Sequence, residues 1–125
     1  MTDVRLHHVN VVVRPGQTEQ LVGFYVDVLG LRRAAKPAEG TNPGGAWFDI
    51  GDAAQLHVSE RAAGAGPGDG HFALVVDDYD AVLGRLRASG ATWRDLPDLF
   101  GGRRGSTEDP LGNHIEILER AGQLA

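Results

Sequence analysis

The chain has 125 residues, of which 42% are hydrophobic and 23% charged, and it contains no cysteine. This composition is typical of a globular domain and excludes disulfides, thiolate metal ligands and a cysteine nucleophile. No apolar run approaches the roughly 20 residues of a membrane span, and the N-terminal residues do not resemble a secretory signal. The net charge of −5 argues against nucleic-acid binding. We therefore expect a cytoplasmic protein of one domain, residues 1–125, whose partner is a small molecule rather than a nucleic acid or a membrane.

The first half of the chain predicts one helix and four strands in the order β-α-β-β-β. Apolar residues recur at helical spacing from Leu21 to Leu29, and Gly30 follows as a helix stop. Gly51-Asp52 is typical of a tight turn between two strands. The predicted strands are 6–13, 31–36, 46–50 and 53–59.

The second half repeats this order after a glycine-rich segment. Residues 62–70 could suggest a phosphate-binding loop, but a strand pattern follows where a helix should begin, so we interpret them as a linker. A helix then begins near an Asp77 or Asp78 cap and ends at Gly90. The predicted strands are 71–76, 91–94, a weakly indicated stretch near 104–108, and 114–119. The chain thus divides into module one (1–61), the linker (62–70) and module two (71–125), an internal duplication with a period of roughly 60 residues.

Four metal-capable side chains lie at equivalent positions of the two modules. The first strands supply His8 and His71, and the last strands supply His57 and Glu116. Because side chains alternate along a strand, each of the four lies on the face opposite the apolar residues of its strand, whereas His7 does not. A lone strand histidine is usually a surface or hydrogen-bonded residue, but four such positions with consistent alternation favour a metal site.

Two motifs carry a resemblance to a known family. The segments FYVDVLGL (24–31) and DPLGNHIE (109–116), together with the two histidine-bearing strands, resemble the vicinal oxygen chelate superfamily. That superfamily includes glyoxalase I, fosfomycin-resistance enzymes, extradiol dioxygenases, methylmalonyl-CoA epimerase and bleomycin-resistance proteins. The resemblance covers nearly the whole chain and implies an α+β fold, in which two βαβββ modules form an open, curled mixed-sheet barrel with the helices outside.

The resemblance also implies one divalent metal ion bound by His8, His57, His71 and Glu116. Imidazole and carboxylate ligands suit Ni, Co, Zn, Mn or Fe, and the sequence does not select among them. The set without His57 would be a 2-His-1-carboxylate triad that suits non-haem Fe(II). We expect Asn10, Trp47, Arg104 and His114 to line the substrate pocket. Family members are commonly homodimers, and the sequence does not decide whether the site lies within one chain.

The resemblance implies three possible functions. The first is a metal-dependent lyase or isomerase of glyoxalase type, in which Glu116 is either the catalytic base or only a ligand. Glyoxalase I usually has a carboxylate where His57 stands and a glutathione-anchoring arginine where Val12 stands, so methylglyoxal–glutathione is not the expected substrate. The second is an Fe(II) extradiol-type dioxygenase, and the third is a non-enzymatic antibiotic-binding resistance protein.

Two further expectations concern the pocket. Trp47, Phe48 and Trp93 could offer stacking surface, although aromatic residues in strands are more often core. Gly105 and Ser106 stand where family members more often have two aromatic residues, which would leave more room for the substrate.

Overall fold

The computed structural model describes residues 4–41, 43–64 and 66–122, and its contacts divide the chain into two compact units. These units are Met1–Gly66 and Pro67–Ala125. They contain the predicted modules together with the linker between them, and they are called module one and module two below. The division falls inside the predicted linker. None of the helices among the described residues is long and apolar enough to cross a membrane.

Module one forms a four-stranded mixed sheet with one helical segment. Helix α1 (Glu19–Gly23) continues directly into a π-helical turn (Phe24–Val28). Gly30 ends this segment at φ 80°, a left-handed conformation that favours glycine. The strand order is β1-β4-β3-β2, in which only the β1–β4 pair is parallel. The strands are β1 (His8–Val13), β2 (Arg32–Ala34), β3 (Ala46–Ile50) and β4 (Ala54–Glu60).

One face of this sheet packs under the helical segment and forms the core of module one. Leu56 and Val58 of β4 and Phe48 of β3 are at most 1% exposed. The Tyr25 ring of the helical segment lies 5.6 Å from that of Phe48. The predicted alternation is therefore present, and it leaves the polar side chains of the same strands on the opposite, open face.

Module two has the same topology, with strand order β5-β8-β7-β6 and one parallel pair, β5–β8. Helix α2 (Tyr79–Ser89) begins at Asp78, whose carboxylate accepts from the Ala81 amide at 3.0 Å, and ends at Gly90 with φ 79°. The two mixed sheets and two helical segments confirm the α+β class, and neither sheet is closed into a barrel. The strands are β5 (His71–Val75), β6 (Trp93–Leu99), β7 (Gly102–Glu108) and β8 (His114–Leu118).

The β6–β7 hairpin corrects the sequence prediction, which ended β6 at Arg94 and gave β7 only weak support. Both strands have seven residues and are joined at Phe100-Gly101, where both φ angles are positive. Pro97 lies inside β6, next to a shift in the pairing register. Because β6 is an edge strand of its sheet, the missing proline N–H costs no ladder hydrogen bond there.

The turn before β8 fixes where that strand starts. Asp109 is 4% exposed, and its carboxylate accepts from the Leu111 and Asn113 amides and from the Asn113 side chain, at 2.8–3.0 Å. Gly112 takes φ 88° within this turn. The motif that carried the family resemblance is thus a rigid turn, and it sets the register that brings Glu116 to the open face.

Candidate metal and substrate site

Glu116 is held between a histidine and an arginine on the open face of module two. Its Oε2 lies 2.5 Å from Nε2 of His71, and its Oε1 accepts from Nη1 of Arg104 at 2.7 Å. The Glu116 and Arg104 side chains are 16% and 20% exposed, whereas that of His71 is 50% exposed. Parallel pairing of β5 with β8 places Ala73 opposite Glu116, so His71 reaches the carboxylate diagonally. The two predicted ligands of this module are therefore in direct contact.

Arg104 is positioned by the irregular edge of the sheet. Its Nε donates to the Pro97 carbonyl at 2.9 Å, beside the register shift in β6. The sequence predicted Arg104 as a pocket residue but not its pairing with Glu116. Alternation puts Arg104 on the open face, but its contact with Glu116 depends on the strand register, in which Ser106 pairs with Glu116 and Arg104 lies two residues from Ser106.

These side chains line a cavity of about 350 Å³ within module two. His114 lies in its wall, and its Nδ1 is 3.7 Å from Glu108. Arg94 and Asp69 were not anticipated there. The full lining is Asp69, His71, Arg94, Leu96, Arg104, Ser106, His114 and Glu116.

Of the two small residues expected to enlarge the pocket, only Ser106 lines it. Gly105 lies on the opposite face, where a Cβ would overlap the indole of Trp93. Trp93 packs at 6.0 Å against the Tyr79 ring of α2. The expectation for Gly105 was wrong because its missing side chain makes room for the Trp93 indole rather than for a substrate.

In module one, His57 is stacked between two other rings. It is 9% exposed. Its ring centroid lies 4.2 Å from Trp47 at an interplanar angle of 5°, and 4.1 Å from His8 at 13°. The register places Trp47 directly opposite His57 on β3. On β1 the direct neighbour is Asn10, so His8, two residues away on the same face, reaches the ring diagonally. Trp47 is thus the aromatic residue of the open face, while Phe48 lies in the core.

A chain of hydrogen bonds reaches the edge of the same ring. His57 Nε2 is 2.9 Å from the Gln55 Oε1, and Gln55 Nε2 donates to Asp49 Oδ1 at 3.0 Å. On the other side of the stack, Nδ1 of His8 lies 2.9 Å from Nδ1 of His7. The pKa of His57 is lowered from its usual value, first by burial and then by the positive charge that His8 and His7 can carry. Neither Gln55 nor Asp49 was singled out from the sequence, although alternation puts both on the open face.

A second cavity, of about 430 Å³, opens beside this stack within module one. Asn10 lies in its wall, where its Oδ1 accepts from the Ser59 hydroxyl at 2.7 Å. Lys36 and Arg61 add cationic groups to the wall. The predicted residues His8, Asn10, Trp47 and His57 therefore share one cavity.

The imidazole and carboxylate donors are of the kind that divalent transition metals bind, so the donor chemistry fits such an ion. Among the described residues of each module, no three His, Asp or Glu side chains form a group that could hold a metal ion. Module two brings His71 and Glu116 together, and module one brings His8 and His57 together. The 2.5 Å contact in module two places a nitrogen and an oxygen donor side by side, as two ligands of one ion require.

Comparison with known proteins identifies the family. The model of the Glyoxalase/Bleomycin resistance protein/Dioxygenase superfamily matches residues 5–117. The chain therefore belongs to this superfamily, which is the vicinal oxygen chelate superfamily. Its members commonly use a divalent metal and act on small molecules.

The chain is similar to relatives that carry different names within this family. The chain is 31% identical over 124 residues to a probable chloroplastic lactoylglutathione lyase of Arabidopsis thaliana, covering 89% of this chain but 35% of that protein. A solved glyoxalase-family protein from Bacillus anthracis has a TM-score of 0.85 and 27% identity, covering 96% of this chain and 98% of the other. The oxidase ChaP-H2 has a TM-score of 0.76 and 27% identity, with 98% of each chain covered.

Proposed function

We propose that the protein is a metal-dependent lyase or isomerase of glyoxalase type that acts on a small oxygenated substrate. In this proposal His8, His57, His71 and Glu116 are the ligands of one divalent ion. The observation that carries it is the contact of His71 with Glu116 inside a cavity that is also lined by Arg94, Arg104 and His114. Membership of the superfamily and the similarity to a lyase support the same reaction class.

The bound ion would polarise a substrate carbonyl, or a pair of neighbouring oxygens, and acidify the adjacent C–H bond. Glu116 Oε2, released from the ion for this step, would accept the C–H proton and return it to the neighbouring carbon. In a 2-hydroxy carbonyl substrate the hydroxyl proton would move to the former carbonyl oxygen, so the isomerisation has no net change in protons. Arg104 holds Oε1 by its 2.7 Å hydrogen bond, so Oε2 is the oxygen that the carboxylate presents to the substrate. Arg104 also balances the carboxylate charge in a partly buried site.

The substrate of this proposal is not methylglyoxal–glutathione. Val12 stands where glyoxalase I has its glutathione-anchoring arginine, and His57 stands where it has a carboxylate. The chain also spans about a third of the length of the lyase it resembles. Arg94, Arg104 and His114 in the module-two cavity suit a smaller molecule that carries oxygen atoms or a negative charge.

A second candidate is an Fe(II) extradiol-type dioxygenase. The observation that favours it is the state of His57, whose Nε2 is engaged by Gln55 and whose ring is stacked on both faces. If His57 stays out of the coordination shell, the remaining three residues are the 2-His-1-carboxylate set of such enzymes. The similarity to the oxidase ChaP-H2 agrees with this candidate.

Reconstitution with single metals separates the two candidates. The metal-free chain is loaded with Ni, Co, Zn or Mn and given a panel of hemithioacetals and 2-hydroxy carbonyl compounds, or loaded anaerobically with Fe(II) and given catechols. Exchange of the substrate C–H proton with solvent supports the lyase or isomerase, and oxygen uptake with ring cleavage supports the dioxygenase. Glu116→Gln removes the activity, whereas Glu108→Gln, on the same sheet face, retains it. Equal activity of both variants would contradict the role of Glu116, and robust turnover of glutathione hemithioacetal would contradict the substrate argument.

Two expectations about assembly and location remain proposals. We propose a homodimer, as is common in the superfamily, and a cytoplasmic location in keeping with the absence of cysteine. Light scattering of the purified chain at micromolar concentration tests the first, because a dimer has twice the 13.3 kDa mass of the chain.

A further inference from the structure

The hydrogen-bond chain in module one fixes which nitrogen of His57 carries a proton. An ionised Asp49 carboxylate only accepts hydrogen bonds, so the Gln55 group that faces it must be the amide NH₂. The Gln55 oxygen therefore faces His57, and it accepts a hydrogen from Nε2. A neutral His57 with Nε2–H has its lone pair on Nδ1.

Nδ1 of His57 is also the ring nitrogen left free for a ligand. It has no hydrogen-bond partner among the described residues. No buried side-chain nitrogen or oxygen among those residues lacks a partner. Nδ1 therefore keeps some accessible surface, and His57 lines the 430 Å³ cavity of module one.

The hydrogen bond to Gln55 already occupies the other ring nitrogen, Nε2. Trp47 and His8 lie nearly parallel to His57 on its two faces, at 4.2 and 4.1 Å. Binding through Nε2 would break the hydrogen bond to Gln55 and leave that amide oxygen without its partner. Binding through Nδ1 preserves the hydrogen-bond chain from Asp49 through Gln55 to His57.

We propose that His57 binds its metal ion through Nδ1, and that Gln55 and Asp49 are positioning residues that hold the Nε2–H tautomer. The assignment of Nδ1 as the metal-binding atom rests on the proposed function, whereas the assignment of the Nε2–H tautomer does not. An outer partner of this kind raises the basicity of a ligand histidine and fixes its orientation, and losing it typically lowers metal affinity about 10- to 100-fold.

Nitrogen-15 NMR tests the tautomer without any metal. Long-range proton–nitrogen spectra of the chelator-treated, full-length chain at pH 8, above the ordinary imidazole pKa of about 6.5, are expected to show His57 as the Nε2–H tautomer. Gln55→Leu should shift His57 toward a mixture of tautomers, because the acceptor is lost. Gln20→Leu is the matched control, since Gln20 is exposed on α1 and its side chain makes no hydrogen bond with another described residue. An Nδ1–H tautomer in the unaltered chain, or no response to Gln55→Leu in a folded variant, overturns the inference.

Zinc then identifies the ligand atom. Addition of Zn²⁺ is expected to move the His57 Nδ1 resonance, and Gln55→Leu to weaken zinc binding about 10- to 100-fold relative to Gln20→Leu. A zinc-dependent shift of Nε2 instead would overturn the inference while leaving the proposed metal site intact. If no zinc binds, the proposed function and the ligand assignment both fail, and the tautomer result stands alone.

Discussion

Replacing Arg104 with methionine tests how strongly the module-two site depends on its arginine. The guanidinium makes a 2.7 Å charge-assisted bond to Glu116 and a 2.9 Å bond to the Pro97 carbonyl, with only 20% of the side chain exposed. A hydrogen bond to a charged group contributes about 1.5–3 kcal/mol and a neutral one about 1 kcal/mol. His71 still contacts the carboxylate in the variant, so the roughly 3–5 kcal/mol of a fully unpaired buried charge is not reached. We expect the free energy of unfolding to fall by about 2–3 kcal/mol.

Urea denaturation of a double-mutant cycle measures this coupling. The cycle combines Arg104→Met with Glu116→Gln, and the coupling free energy between the two sites should be about 1.5–2 kcal/mol. Arg94→Met is the matched control, because Arg94 is exposed in the same cavity wall and makes no hydrogen bond or ion pair with another described residue. We expect it to change stability by about 0.5 kcal/mol or less. A coupling below about 0.5 kcal/mol would refute the role assigned to the ion pair.

Three other predictions concern charge and packing. Arg103→Met should raise the pKa of Glu119 from about 2 toward its ordinary value, because it removes the hydrogen bonds that lower this pKa. The lowered pKa stabilises the fold at pH values above the ordinary carboxyl pKa, and this stabilisation is lost as the pH falls toward 2. Melting temperatures of the variant should therefore depend less on pH between 5 and 2 than those of the unaltered chain. The pKa of His57 lies below 6.5, so its contribution to stability should fall as pH decreases from 6.5 through that lower pKa; an NMR titration midpoint at or above 6.5 would contradict this. Gly105→Ala should destabilise the chain by about 1–3 kcal/mol through overlap with a tryptophan ring, whereas the control Gly84→Ala, with open space on helix α2, should stabilise it by about 0.5–1 kcal/mol in the same thermal melts.

The duplicated fold was predictable because its signals are local. Valine-rich runs, glycine helix stops and the Asp109 turn each depend on a few neighbouring residues, and alternation then assigned the core face correctly through Leu56 and Ile115. The β6–β7 hairpin was not predictable in the same way. Pro97 argues against a strand, and it is tolerated only because β6 is a sheet edge, which is a property of the assembled sheet.

The candidate site was predictable as a set of faces but not as a set of contacts. Alternation placed His8, His57 and Glu116 on open faces, and the structure agrees for each module. The partners depend on cross-strand register, which a single sequence does not specify. The pairing of Glu116 with Arg104 and the Asp49–Gln55–His57 chain therefore emerge only when the strands are aligned.

The metal content of the purified chain tests the central claim most directly. Protein prepared without chelators and dialysed against a mixture of divalent ions is measured by mass spectrometry of its metals. We expect one ion for each set of the four ligands in the unaltered protein. The ion should be lost in His8→Ala, His71→Ala and Glu116→Ala, and it should be retained in the control Glu108→Ala. Metal-free protein, or a bound metal that is retained in His8→Ala, His71→Ala and Glu116→Ala, would contradict the proposed site.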